Sequence, residues 1–208
     1  MEIAYEVKNG LYLNITNRCP NSCTFCMKFK GHMNYMKYNL KLLKEPDYDP
    51  IKKDIEDHFS RKKYDEIVFC GYGEPTMRFD LIKDVAKSIR EGKFNNVPVN
   101  IRIRINTNGL GNLINKRDIT TEMKGLIDAL HISVNTVNPK QWIEIMRPLK
   151  EFKENGFAAV IDFVKSAKDN VNEVVVTAVD LKEVDIQAVM RFARSLGVNF
   201  RLRPFIEL

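Results

Sequence analysis

Residues 11–26 read Leu11-Tyr12-Leu13-Asn14-Ile15-Thr16-Asn17-Arg18-Cys19-Pro20-Asn21-Ser22-Cys23-Thr24-Phe25-Cys26, a short apolar run passing directly into a loop with cysteines spaced C-x3-C-x2-C. Three thiolates at that spacing wrap one loop around one face of an iron-sulfur cube and leave one iron without a protein ligand. An open coordination position is where a metal site does chemistry rather than architecture. The same cysteines with His32 also make up a Cys3His zinc set. Spacing alone therefore leaves a non-catalytic iron-sulfur or zinc-binding module open beside the catalytic cluster.

Outward from this loop, short β-branched and apolar runs alternate with segments of helical period, the pattern of βα units on a parallel sheet. Strands are expected over 11–15, 66–70, 99–105, 129–134, 173–179 and 198–203. Asp49-Pro50 supplies an N-cap and an N1 proline ahead of Ile51, Ile55 and Phe59. Asp80 precedes Ile82, Val85, Ala86 and Ile89, with Gly92 as the stop; Asp185 precedes Val189, Met190, Ala193 and Leu196, with Gly197 as the stop. Phe157, Val160, Ile161 and Val164 mark a further helical stripe. Six units fit 208 residues, whereas a complete eight-unit barrel takes about 250. The expected architecture is an α/β open (β/α)6 partial TIM barrel, a single domain over 1–208 with its cluster loop at 16–30.

The chain carries 33 Lys and Arg against 27 Asp and Glu, a net charge of +6. That balance would favour anionic partners such as RNA, nucleotides or phosphorylated metabolites. The basic residues are scattered among acids, with short runs only at Lys52-Lys53 and Arg61-Lys62-Lys63, which also describes an ordinary solvated surface. No stretch reaches the ~20 apolar residues of a membrane span, and the N-terminus lacks the regions of a signal peptide. A cytoplasmic protein is expected. Three of its four cysteines lie in the one loop, which suits metal binding better than a disulfide framework.

The run 11–26 resembles the opening strand and cluster loop of radical S-adenosylmethionine (radical SAM) enzymes. Over nearly its whole length the chain resembles the short TatD-associated members, named for a metal-dependent hydrolase often encoded beside them. The resemblance implies that Cys19, Cys23 and Cys26 hold a 4Fe-4S cluster whose open iron is chelated by the amino and carboxylate groups of SAM. It further implies reductive cleavage of SAM to methionine and a 5'-deoxyadenosyl radical that abstracts hydrogen from a substrate. A reducing partner such as flavodoxin or ferredoxin follows, as does a possible association with a TatD-type hydrolase. The same chemistry on tRNA or on a partner protein, as in activating enzymes, is the alternative.

Site residues follow from the same likeness. Phe25 matches an aromatic that approaches the adenine. Cys70-Gly71-Tyr72-Gly73-Glu74-Pro75 resembles the GGE motif that holds the methionine end of SAM, with Tyr72 where the first glycine usually stands. Glycine lets backbone approach a ligand closely, and a neighbouring carboxylate can accept from an ammonium; a Gly-rich turn ending a strand has the same appearance. Asn106-Thr107-Asn108-Gly109 resembles the TNG turn whose threonine, here Thr107, orients the SAM amino group. In His131-Ile132-Ser133-Val134-Asn135, period two sets His131, Ser133 and Asn135 on one face. Ser133 and Asn135 match positions binding SAM carboxylate and ribose, and His131 lies deeper, as a satisfied interior histidine or a substrate contact. Cys70 reads as a buried strand residue.

Alternation also separates Arg102 and Arg104 from Ile101, Ile103 and Ile105, and Arg201 and Arg203 from Phe200 and Leu202. Four arginines are thereby expected in the lumen, where each needs either an internal Asp or Glu or an anionic ligand such as substrate or the SAM carboxylate. Residues 28–38, KFKGHMNYMKY, mix charge and rings in the manner of a nucleic-acid clamp, a lid or a capping helix.

Overall fold

The computed structural model describes residues 2–31 and 34–206; His32, the fourth ligand of the zinc alternative, and the neighbouring Met33 lie outside them. β1 (Ala4–Val7) turns back through Lys8 and Asn9 to run antiparallel beside β2 (Gly10–Leu13). After the cysteine loop comes a small hairpin, β3 (Asn34–Tyr35) with β4 (Tyr38–Asn39), and then α1 (Tyr48–Phe59). The remainder alternates: β5 (Glu66–Phe69), α2 (Phe79–Arg90), β6 (Arg102–Thr107), α3 (Gly111–Asn115), β7 (Ala129–Ser133), α4 (Pro139–Met146), α5 (Gly156–Asn170), β8 (Glu173–Val179), α6 (Ile186–Ser195) and β9 (Asn199–Arg203).

The main sheet has seven strands in the order β1-β2-β5-β6-β7-β8-β9, and every pair after β1-β2 is parallel. Its end strands do not pair with each other, so the barrel is open. Each expected strand is present, and β1 and the hairpin are additions. Part of the 28–38 stretch forms that hairpin, and Met27–Lys30 is a single 3-10 turn. The tyrosines of the hairpin lie against Tyr5, with ring centroids 6.2 Å (Tyr35) and 5.7 Å (Tyr38) away, so they cap the sheet edge.

The helix stops at Gly92 and Gly197 hold, both with φ +70°, and Asp185 caps α6 by accepting from Ala188 N at 2.9 Å. Two starts lie earlier than the sequence suggests. α1 is capped at Asp47, placing Asp49 and Pro50 in its first turn, and α2 begins at Phe79, placing Asp80 likewise. The first N–H groups of a helix have no intrahelical acceptor, so proline is tolerated there and a carboxylate gains from the helix dipole.

Outward-facing strand residues Ile67, Phe69, Ile103, Ile105, Leu130, Ile132 and Val176 are sealed under Ile51 and Ile55 of α1, Ile82 and Val85 of α2, and Val160 and Phe163 of α5. Each such side chain contributes about 1.5–3 kcal/mol by burial. The apolar half of every strand thus faces the helices, and the polar half faces the concave interior, where the chemistry is gathered.

Candidate active site

The cysteine loop is fastened at both ends. Asn14 Nδ2 donates to Leu40 O at 2.8 Å, and Arg18 grips Glu45 through two bonds of 2.8 Å. Farther along, the loop docks on the C-terminal end of α4: Ser22 N donates to Met146 O at 3.1 Å, Thr24 N to Ile145 O at 2.9 Å, and Leu149 N to Pro20 O at 2.8 Å. Cys19, Cys23 and Cys26 are free thiols, each partly buried. Cys23 Sγ lies 3.8 Å from Met146 Sδ, and Asn108 Nδ2 lies 3.9 Å from Cys19 Sγ.

Burial, and then the Glu74 carboxylate, push the Cys19 thiol up to about 12. Burial and then the other two thiols push Cys23 up as well. Thiols held neutral by burial, as Cys19 and Cys23 are, give up their protons readily when a cation binds, so the donor set fits a metal cluster. Among the described residues no three His, Cys, Asp or Glu side chains converge as a chelate for a single ion, whereas a cubane takes each thiolate on a different iron.

Beside the loop lies the turn after β5. A Cβ at Gly73 would sit 2.4 Å from Arg18 O and 2.5 Å from Thr16 O, and one at Gly71 would sit 2.1 Å from Asn14 Oδ1. Only glycine allows this turn to lie flat on the cysteine loop, and Glu74 N then donates to Arg18 O at 2.8 Å. Burial and then the Cys26 thiol push the Tyr72 phenol up, consistent with a place next to the third cysteine.

Glu74 is taken up by its neighbours. Its side chain is almost fully enclosed; Oε1 accepts from Thr76 N at 3.0 Å, Thr76 Oγ1 at 2.6 Å and Thr107 Oγ1 at 2.8 Å, and Oε2 accepts from Asn108 N at 2.7 Å. Burial raises its carboxyl in spite of these donors. Thr107 Oγ1 also accepts from Gly109 N at 3.1 Å. Glu74 and Thr107 therefore staple the β5 and β6 turns together.

On β7, Ser133 faces the interior, 3.5 Å from Thr177 Oγ1. Asn135 does not share that face. The strand ends at Ser133, and Asn135 is fully enclosed with φ +63°, where period two no longer applies. Its Oδ1 accepts from Val179 N at 3.1 Å and its Nδ2 reaches Met146 Sδ at 3.2 Å, joining the ends of β7, β8 and α4.

Deeper in the lumen the arginines divide into two kinds. Arg104 donates Nε to Glu66 Oε2 at 2.9 Å and Nη2 to Glu66 Oε1 at 2.5 Å, and also reaches Asn106, Tyr12 and His131 Nδ1. Arg102 Nη2 pairs with Glu173 at 2.9 Å. Burial, then the charges of Arg104 and Arg201, hold His131 down at about 4, so it is neutral; because Arg104 only donates, Nδ1 is the acceptor. Arg102, Arg104 and His131 are thus internally satisfied. Arg201 and Arg203 have no carboxylate within ion-pair distance among the described residues.

Phe25 lines an open groove of ≈ 750 Å³ together with Asp180, Leu181, Lys182 and Phe205. Lumen residues not anticipated from sequence include Tyr12, Asn106 and Thr177. Extending the alternation of Arg102 and Arg104 by one step would have found Asn106, and Thr177 follows from its register opposite Ser133.

The Radical SAM superfamily model matches residues 13–196. GTP 3',8-cyclase of Corynebacterium glutamicum (strain R) is 27% identical over 218 residues, covering 97% of this chain and 49% of that protein. The chain thus spans about half the length of the curated relatives it matches. Among solved structures, HydG, a maturase of the [FeFe]-hydrogenase, aligns with TM-score 0.65 at 14% identity, over 95% of this chain and 42% of that one. Streptococcus suis SuiB aligns with TM-score 0.62 at 16% identity, over 92% and 38%. These two likenesses carry the fold alone. With the family model matching most of the chain, this protein belongs to the radical SAM superfamily, whose members use a 4Fe-4S cluster and S-adenosylmethionine.

Proposed function

We propose that this chain cleaves SAM reductively at a 4Fe-4S cluster held by Cys19, Cys23 and Cys26 and uses the product to take hydrogen from a substrate. The observation that carries this is the meeting, at one end of the sheet, of three free thiols, the Gly71–Gly73 turn and the groove lined by Phe25. When bound, the cluster and SAM supply the chemistry: an electron breaks a sulfur-carbon bond and yields methionine and a 5'-deoxyadenosyl radical.

The chain's own residues bind, orient and exclude water. Backbone at Tyr72 and Gly73 admits the methionine end of SAM, and Ser133 is free to donate to its carboxylate. Phe25 offers a ring face to the adenine. Glu74, Thr107 and Asn135 act as positioning residues, since their polar atoms are committed to neighbouring turns. The enzyme needs a reductant, for which flavodoxin or ferredoxin is proposed, and a TatD-type hydrolase is proposed as an associate. Among the described residues no helix is long and apolar enough to cross a membrane. A reducing cytoplasm is the proposed setting, because it preserves the thiols.

Small-molecule action is favoured over RNA because Tyr35 and Tyr38 pack on Tyr5 and are not arrayed for base stacking. The test is anaerobic reconstitution with iron and sulfide, followed by reduction with dithionite in the presence of SAM. About one 4Fe-4S cluster per chain and formation of 5'-deoxyadenosine are expected. Stoichiometric zinc without iron would overturn the proposal.

A further inference from the structure

Among the described residues, Arg203 is the lumen arginine that leaves a buried donor nitrogen unpaired. It projects from the end of β9, and its Nε is sealed from solvent with no hydrogen-bond acceptor. Its Nη2 donates to Ser133 Oγ at 3.2 Å. No Asp or Glu lies within ion-pair distance among the described residues, because Glu66 is committed to Arg104 and Glu173 to Arg102. Burial holds its guanidinium below the usual range.

Arg201 lies one pleat deeper on the same strand, about 7 Å away by strand geometry, and Thr177 is its partner in register. Its charge acts on both His131 and Arg203, but the residue itself is exposed to solvent, not enclosed in the lumen as alternation suggested. A buried cation without a counter-ion is costly, and one with an orphaned donor more so. Folding tolerates it most readily where a ligand completes it, and guanidinium forks match carboxylate and phosphate oxygens. Two forks a pleat apart reach beyond a single amino-acid carboxylate.

We propose that Arg203, with Arg201 and Thr177, forms the subsite for an anionic group of the substrate, a phosphate or carboxylate, and that Arg102 and Arg104 play no part in binding it. This rests on the radical SAM assignment of the site, but its test does not. The full chain, without cluster or SAM, is titrated with inorganic phosphate and with pyrophosphate at constant ionic strength, read by calorimetry and by thermal melting. Saturable binding and a higher Tm are expected for the unaltered protein. Arg203→Met loses binding by about 10-fold or more, the scale of a charge-assisted hydrogen bond, while its ligand-free Tm is unchanged or higher because an uncompensated cation is gone. Arg203→Lys recovers binding in part, and Lys63→Met, at an exposed position, leaves it intact.

No saturable binding of either anion, or binding that survives Arg203→Met, overturns the proposal. A lower ligand-free Tm in Arg203→Met overturns the premise of an uncompensated charge. The reconstituted holoenzyme separates the other source of a carboxylate: SAM affinity should stay within about 2-fold in Arg203→Met. A loss of SAM affinity with phosphate binding retained would reassign the fork to SAM itself. Failure of cluster assembly would count against the proposed function and leave the phosphate result standing.

Discussion

Glu66→Gln removes the carboxylate that holds Arg104 in the lumen, and its effect can be worked from the structure. Arg104 is 4% exposed and meets Glu66 through two parallel bonds of 2.9 and 2.5 Å. The variant leaves a buried guanidinium facing a neutral amide, a change that costs about 3–5 kcal/mol when one partner of a buried pair is lost. For a chain of this size each kcal/mol moves Tm by roughly 2–4 °C, so a fall of about 6–20 °C is expected. Arg104→Met combined with Glu66→Gln should recover part of the loss, since neither charge is then stranded.

The pH dependence has a definite sign. Burial alone would raise the Glu66 carboxyl, but the hydrogen bonds and charge of Arg104, then the charge of Arg102, hold it below its ordinary value. The unfolded chain therefore binds the proton first as pH falls. The stabilisation is present above the unfolded value and is lost as pH drops through the folded one. Melts of the parent should weaken below about pH 4.5 by more than those of Glu66→Gln. A Glu66→Gln protein that melts within about 1 °C of the parent at pH 7, or one with the same acid limb, would refute the assignment of this pair as the lumen's structural anchor.

Cys19→Ala, Cys23→Ala and Cys26→Ala should each lose iron and 5'-deoxyadenosine formation, and Cys70→Ala should keep both; iron and sulfide analysis decides. Gly73→Ala should lower cluster occupancy in anaerobically reconstituted protein without unfolding the sheet, because a Cβ 2.4 Å from Arg18 O must push the cysteine loop aside. Asn135→Ala should cost about 1–3 kcal/mol in urea melts by leaving Val179 N buried and unpaired. A change confined to SAM affinity would show instead that its amide faces the ligand.

The parallel strands are legible as short apolar runs, β-branched in β5, β6 and β8, between helical stripes, and the arginines on β6 and β9 are visible in the alternation of those two strands. What alternation does not carry is partnership. Glu66 and Glu173 are the first residues of β5 and β8, and the sheet register brings Glu66 opposite Arg102. β1 has only four residues, too few to show a period. Its local signal was the turn, where Asn9-Gly10 follows Lys8 at φ +54°. Asn135 leaves the face that alternation gives it because β7 ends two residues earlier, at Ser133, and the backbone is left-handed at Asn135 itself. For Glu74, a carboxylate after glycines suggests a ligand contact, and nothing local reveals that Thr76, Thr107 and Asn108 also donate to its oxygens.

The docking of the cysteine loop on α4 has a consequence in time. Cys23 and Met146 are 123 residues apart in sequence, and the loop's hydrogen bonds run to Ile145, Met146 and Leu149. On a ribosome the N-terminal loop emerges long before the helix that gives it shape. Contacts of such separation close late, because the entropy of the intervening chain must be overcome first. The three thiols thus lack their docking surface until α4 has been made, and iron delivered in that interval meets an unshaped loop. Cluster insertion belongs after α4 has been made and packed, which sets the order in which assembly factors and translation act.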